Sequence, residues 1–216
     1  MASAPARGAF FTFEGIDGSG KSTQARLLAE RLEAAGHRVR LTREPGGAPG
    51  AEEIRRLLVE GAPGRWSGET EVLLFTAARR DHLERTIAPA LAAGEVVICD
   101  RFADSTRVYQ GAARGALRPL VDRLHAEFIG LEPALTFILD LDAAEAARRH
   151  TARPGTETRF EEMGLAFQQR LRAGFRAVAA EFPARCRLLD AAQPAEALAA
   201  EIAALAEGAL VRQTPA

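Results

Sequence analysis

Five short runs rich in apolar, β-branched and aromatic residues recur along the chain: Phe10–Phe13, Val39–Thr42, Val96–Cys99, Leu135–Leu139 and Arg187–Leu189. Between and after them lie helix-length segments, Ser22–Ala35, Ala51–Glu60, Glu69–Ala93, Leu117–Ile129, Ala143–Arg149, Arg159–Glu181 and Ala195–Leu210. Most of these repeat apolar residues at three- and four-residue spacing, as a helix packed on one side requires. Strands alternating with helices predict an α/β fold built on a five-stranded parallel sheet flanked by helices. Punctuation agrees: Gly36 closes the first helix, Pro45-Gly46-Gly47 follows the second strand, and Gly94 precedes the third. A polar stretch, His150–Thr158, separates two helices and suits a flap over a site better than a linker.

At 216 residues the chain is long enough for one substantial core, so a single domain over 1–216 is expected. The 28 basic and 29 acidic residues nearly cancel, which argues against a broad nucleic-acid or anionic membrane surface. No apolar run approaches the roughly 20 residues that span a bilayer, and the opening residues lack the apolar centre of a secretion signal. A cytoplasmic location is the expectation. Cys99 and Cys186 fall in expected strands and read as reduced core thiols, and the four histidines have no zinc-ligand spacing.

The chemistry starts after the first strand. Gly15–Ser22 reads GIDGSGKS and fits the phosphate-binding pattern G-x-x-x-x-G-K-[ST] in a strand–loop–helix setting. Gly15, Gly18 and Gly20 let successive backbone N–H groups turn around an anion, with Ser19 and Thr23 in the same loop and helix start. Lys21 is the only lysine in a chain that otherwise uses arginine, so this position calls for a compact ammonium, placed for the β- and γ-phosphates of ATP. Ser22 holds the hydroxyl position that binds Mg²⁺ in such loops, and Asp100, at a strand end, is its acidic counterpart. Arg43 and Arg101, each just after a strand, stand where open α/β sheets bind ligands and can hold an acceptor's phosphate.

Four further segments occur in order: TREPGG at 42–47, LLFTAARRDH at 73–82, CDRFADSTRVYQG at 99–111 and GLEPALTFILDL at 130–141, with RFEE at 159–162 beyond the flap. With the P-loop they cover most of the first 141 residues, and together they resemble the thymidylate kinase family, whose fold is that of P-loop nucleoside monophosphate kinases. The resemblance implies transfer of a phosphoryl group from ATP to dTMP, with Mg²⁺, in a homodimer. It implies that Phe75 stacks on thymine, that Arg79, four residues on, donates to its O4, and that Ser105 and Thr106 lie near the base. Tyr109 would pack on the sugar with Gln110 beside it, and Asp17 would reach the 3′-hydroxyl.

Such a reaction needs no strong base, because the acceptor phosphate is largely ionised at neutral pH. The resemblance is to the bacterial class, whose catalytic arginines sit in the LID (about 148–160). Arg148, Arg149 and Arg153 are the candidates, with Arg148 or Arg149 placed for adenine and Arg149 and Arg153 for catalysis. The alternatives are a P-loop kinase for another nucleoside monophosphate or a deoxynucleoside, or an ATPase switch; a guanine-reading N-K-x-D is excluded by the single lysine.

Overall fold

The computed structural model describes residues 8–61, 64–112, 117–151 and 164–213. Its sheet consists of β1 (Phe10–Glu14), β2 (Val39–Arg43), β3 (Val96–Asp100), β4 (Leu135–Asp140) and β5 (Cys186–Asp190). All pairings are parallel, in the order β2-β3-β1-β4-β5. Every expected strand is present, each extended by one or two residues. β1, β3 and β4 are buried almost throughout, which is why they read as continuous apolar runs, whereas the edge strand β2 is half exposed.

Helices cover both faces: α1 (Lys21–Ala34), α2 (Pro49–Val59), α3 (Gly68–His82), α4 (Ala88–Ala92), α5 (Ala103–Thr106), α6 (Arg118–Leu124), α7 (Ala143–Thr151), α8 (Gly164–Glu181) and α9 (Ala195–Gln213). The expected single helix Glu69–Ala93 is instead α3 and α4 joined by a π-turn at Leu83–Ile87. A second π-turn, His125–Ile129, ends the expected Leu117–Ile129 helix. α5 and the π-turn Arg107–Ala112, which follow β3 closely, have no counterpart among the expected helices. Helical periodicity cannot register a turn with one residue too many, because the extra residue shifts the apolar phase. Of the helix expected over Arg159–Glu181, the described part begins at Gly164; residues 159–162 and most of the flap lie outside the described residues.

The main core joins β1 and β4 to α1, α8 and α9. Phe11, Phe13 and Phe137 are fully buried there, with ring centroids 6.1 Å (Phe11–Phe137) and 5.1 Å (Phe13–Phe137) apart. A smaller cluster on the other side packs Phe10, Val97, Cys99 and Phe102 against Ile87, and both cysteines are free and buried. Parallel strands point their carboxyl ends the same way, so the loops after β1, β2, β3 and β5 converge on one rim. Replacing Phe137 with alanine removes a ring shared by both neighbouring phenylalanines and should destabilise the fold by about 3–5 kcal/mol. Urea unfolding followed by circular dichroism measures it, and a loss below about 1 kcal/mol would show that this core is not what holds β1 to β4.

Candidate active site

A cavity of about 960 Å³ opens on that rim and is lined from Asp17–Gln24, Arg43–Pro45, Phe75, Arg79, Asp100–Phe102, Ser105, Thr106, Tyr109, Gln110, Arg149 and Ala191–Ala195. Its floor is the loop between β1 and α1. Gly15, Gly18 and Gly20 all take positive φ, at 138°, 80° and 96°, values that a side chain would strain. At Gly18 there is also no room, since a Cβ there would come within 2.3 Å of the Ala146 carbonyl oxygen in α7. Ser19 is buried with no partner for its hydroxyl among the described residues.

Lys21 is buried, its ammonium donating to the Ile16 carbonyl at 2.8 Å and lying 3.7 Å from Asp17. Burial, and then repulsion from Arg101, push its pKa down to about 8. Asp17 goes the other way. Burial opposes its ionisation, but Arg101 and Lys21 outweigh that and hold its carboxyl at about 2. Ser22 Oγ donates to Asp100 Oδ2 at 2.5 Å, and Asp100 Oδ1 is buried without a partner. One hydroxyl and one carboxylate with a spare oxygen are hard donors that suit Mg²⁺ completed by phosphate and water. Among the described residues no cluster of three or more His, Cys, Asp or Glu exists that would hold a metal without such help.

Arg101 ends β3 in a left-handed conformation, φ 70°, the one non-glycine residue with positive φ among those described. Its backbone N–H donates to the Phe13 carbonyl at 2.9 Å, and its guanidinium donates to Ser105 Oγ at 2.9 Å, to Tyr109 OH at 3.2 Å and to Asp17. Tyr109 in turn donates to Asp17 Oδ2 at 3.2 Å. Behind them lies Glu14, fully buried at the end of β1 and unmarked in the sequence reading. It accepts from the Phe102 N–H at 2.8 Å, the Ser105 N–H at 3.2 Å and the Ser105 hydroxyl at 2.5 Å. Burial, and then Asp104, raise its pKa to about 7.

On the opposite wall Arg79 is buried and donates to Glu44 Oε2 at 2.7 Å, the Phe102 carbonyl at 3.1 Å and Thr106 Oγ1 at 3.0 Å. Phe75, one turn earlier on α3, is half-buried and lines the cavity. Gln110 is buried and donates to Glu71 at 3.3 Å. Arg43 is exposed, pairing with Glu52 at 3.0 Å. Arg149 pairs with Glu145 at 2.9 Å and donates to the Ala191 carbonyl at 3.0 Å, which brings it to the cavity. Arg148 pairs with Glu145 at the surface and does not line it. Arg153 lies outside the described residues.

Two groups of residues in or behind the cavity carry no mark in the sequence. Glu14 and Glu44 sit beside known motif residues but carry no spacing of their own. The Ala191–Ala195 turn contributes backbone and small side chains, which leave no chemical signature; Gln24 fixes it by donating to the Ala195 carbonyl at 3.0 Å.

The sequence profile of the thymidylate kinase family matches residues 13–202. Thymidylate kinase of Ruegeria pomeroyi is 66% identical over 195 residues, covering 90% of this chain and 92% of that protein. Thymidylate kinase of Jannaschia sp. is 65% identical over 190 residues, covering 88% and 91%. The fold matches a crystal structure of thymidylate kinase from Ehrlichia chaffeensis with a TM-score of 0.75 at 36% identity, covering 93% of this chain and 99% of that one. A phosphate-binding loop, an arginine-lined cleft across the carboxyl ends of a parallel sheet, and these matches over nearly its whole length place the chain in the thymidylate kinase family.

Proposed function

We propose the following division of labour for the family reaction, which this chain carries out: transfer of the γ-phosphoryl group of ATP to dTMP, giving ADP and dTDP. The observation that carries it is the pair of cations at the junction of the two ends of the cavity, Lys21 from the P-loop and Arg101 from β3, bridged by Asp17. Lys21 and the backbone N–H groups from Asp17 to Ser22 hold the donor's terminal phosphates, and Thr23 and Arg149 line the nucleoside side. Arg101 and Arg43 hold the acceptor phosphate. Both acceptor and donor are anionic, so fixed positive charge between them lowers repulsion as they approach and stabilises charge on the group in transit.

Phe75 offers a face to thymine and Arg79 a donor to its O4. Thr106, already bound to Arg79, completes that edge. Ser105 donates its hydroxyl proton to Glu14 and accepts from Arg101, so its part is to steady that arginine. Tyr109 and Asp17 stand together where the sugar would lie, and Gln110 closes the wall behind them. Ser22 and Asp100 would hold Mg²⁺, which when bound neutralises phosphate charge. The crowding of Gly18 by Ala146 supports an arginine finger from the LID, Arg149 or Arg153, since a long side chain at 18 has nowhere to go without displacing α7.

We also propose that residues 1–216 form one domain that acts in the cytoplasm as a homodimer. Exposed Leu73 on α3, with exposed Leu57 and Phe128 on two elements that each pack against α3, supports a partner surface.

Steady-state rates with dTMP, dUMP, dCMP, dGMP and thymidine test the substrate directly: dTMP should give the highest kcat/KM, and preference for another acceptor overturns it. Arg101→Ala should lower kcat at least about 100-fold with the fold intact, by loss of fixed charge at the reacting end. Phe75→Ala should chiefly raise the KM for dTMP, by roughly tenfold, as loss of a stacked ring implies; an unchanged acceptor KM removes the stacking role.

Lys21 gives a test in pH. Its depressed pKa means the free enzyme loses this charge as pH rises through about 8. Phosphates bound beside it raise that pKa again, so ATP binding should take up protons near pH 8–8.5 and weaken as pH rises. Calorimetry in buffers of different ionisation enthalpy measures the uptake, which Lys21→Met should abolish; proton release by the wild type would refute the assignment.

A further inference from the structure

We propose that His82 and Glu44 are positioning residues that set acceptor-base selectivity by locking the Arg79 guanidinium in one pose, an inference that rests on the reading of Arg79 as the donor to the thymine O4. A continuous buried chain runs from β2 to the cavity. Thr42 Oγ1 is 2.7 Å from His82 Nε2, His82 Nδ1 is 3.0 Å from Glu44 Oε1, and Glu44 Oε2 accepts from Arg79 Nε at 2.7 Å. Arg79 Nη2 then donates to the Phe102 carbonyl and to Thr106 Oγ1. His82, Glu44, Arg79 and Thr106 are 0%, 6%, 4% and 2% exposed, so water cannot substitute for a lost partner.

A carboxylate only accepts, so Nδ1 of His82 carries the proton toward Glu44, while Nε2 meets the Thr42 hydroxyl, which can either donate or accept. His82 has no freedom to rotate away: a Cβ on Gly47 would come within 2.5 Å of both its Nε2 and Thr42 Oγ1, and Thr86 holds the Gly47 carbonyl at 2.8 Å. Glu44 is thereby fixed at one oxygen by histidine and at the other pulls on Arg79. Three of the guanidinium's five donors are consumed on the protein side. Nη1 has no hydrogen-bond partner among the described residues, and Arg79 lines the cavity.

The consequence is chemical selectivity. A guanidinium held in place is a donor with no acceptor capacity, so it matches a keto oxygen and opposes the amino group that cytosine carries at the same position. A guanidinium free to swing could evade that clash. Thr42 and His82 do not line the cavity, and Glu44, which does, has one carboxylate oxygen on His82 and the other on Arg79, so the effect of all three passes through Arg79.

Steady-state kinetics with dTMP and dCMP, alongside thermal unfolding of each variant, test the chain. Glu44→Met and His82→Leu should each raise the KM for dTMP roughly tenfold with kcat within about threefold, and narrow the dTMP/dCMP ratio of kcat/KM by a similar factor, as coupled contacts do. Glu44→Gln keeps an acceptor for Arg79, and His82→Asn keeps a donor for Glu44, so both should restore most of the loss. Added to Arg79→Ala, neither Glu44→Met nor His82→Leu should change the acceptor KM further. Folded single variants with unchanged KM and selectivity overturn the inference, as do effects that persist in the Arg79→Ala background. If Arg79→Ala alone leaves the dTMP KM unchanged, the reading of Arg79 fails instead. Should Glu44→Met fail to fold, His82→Leu against His82→Asn decides the case.

Discussion

The site depends on holding two cations side by side, the buried Lys21 and the part-buried Arg101. Burial disfavours the Lys21 charge and the neighbouring Arg101 adds repulsion, and together they depress its pKa. Asp17 resolves the conflict by pairing with both, which is why its own carboxyl is held so low. The free enzyme therefore keeps an internal anion between the two cations. On the proposed assignment, the phosphates of ATP and dTMP add oxygens around the same cations, so Lys21 and Arg101 gain partners when the substrates arrive together. Neither substrate has to create the charge it meets.

The same constraint explains the strained backbone beside it. Arg101 lies in the left-handed region because the chain must leave β3 and turn at once into α5, with the guanidinium aimed back toward β1. Glu14 holds that turn. Its carboxylate collects two backbone N–H groups and the Ser105 hydroxyl at the start of α5, doing for this short helix what a capping side chain does elsewhere. Glu14 has its folded pKa raised above the ordinary value, so its contribution to stability is complete at acid pH and fades as pH climbs through about 7. The bonds it makes in the ionised form thus serve geometry more than stability.

How much of this was legible depended on where the signal lies. The sheet could be read because β1, β3 and β4 are buried on both faces and their residues say so. The P-loop could be read because positive φ demands glycine at fixed spacing. Arg101 and Arg79 could be placed by motif, but not their partners. Glu14 is one carboxylate at the end of a hydrophobic strand, and Glu44 another after an arginine; only the fold brings Glu14 under Ser105, 91 positions away, and Glu44 against Arg79, 35 away. The two π-turns that interrupt the longer helices escaped for a related reason, since they alter the phase that periodicity measures.

The two ends of the cavity are built to different tolerances, and that difference bears on selectivity. On the proposed acceptor side Arg79, Thr106, Tyr109 and Gln110 are buried, and the arginine is tied both to Glu44 after β2 and to Phe102 and Thr106 at the two ends of α5. On the donor side Arg149 is partly exposed, pairs with a surface glutamate, and touches a backbone carbonyl in the Ala191–Ala195 turn. A buried polar wall leaves an unmatched ligand atom without hydrogen bonds and so rejects it, whereas an exposed wall lets water take up the mismatch. Discrimination among acceptors therefore follows from the protein's interior packing. On the proposed assignment, donor binding rests mainly on phosphates held by backbone N–H groups and Lys21, and every nucleoside triphosphate presents those same phosphate oxygens.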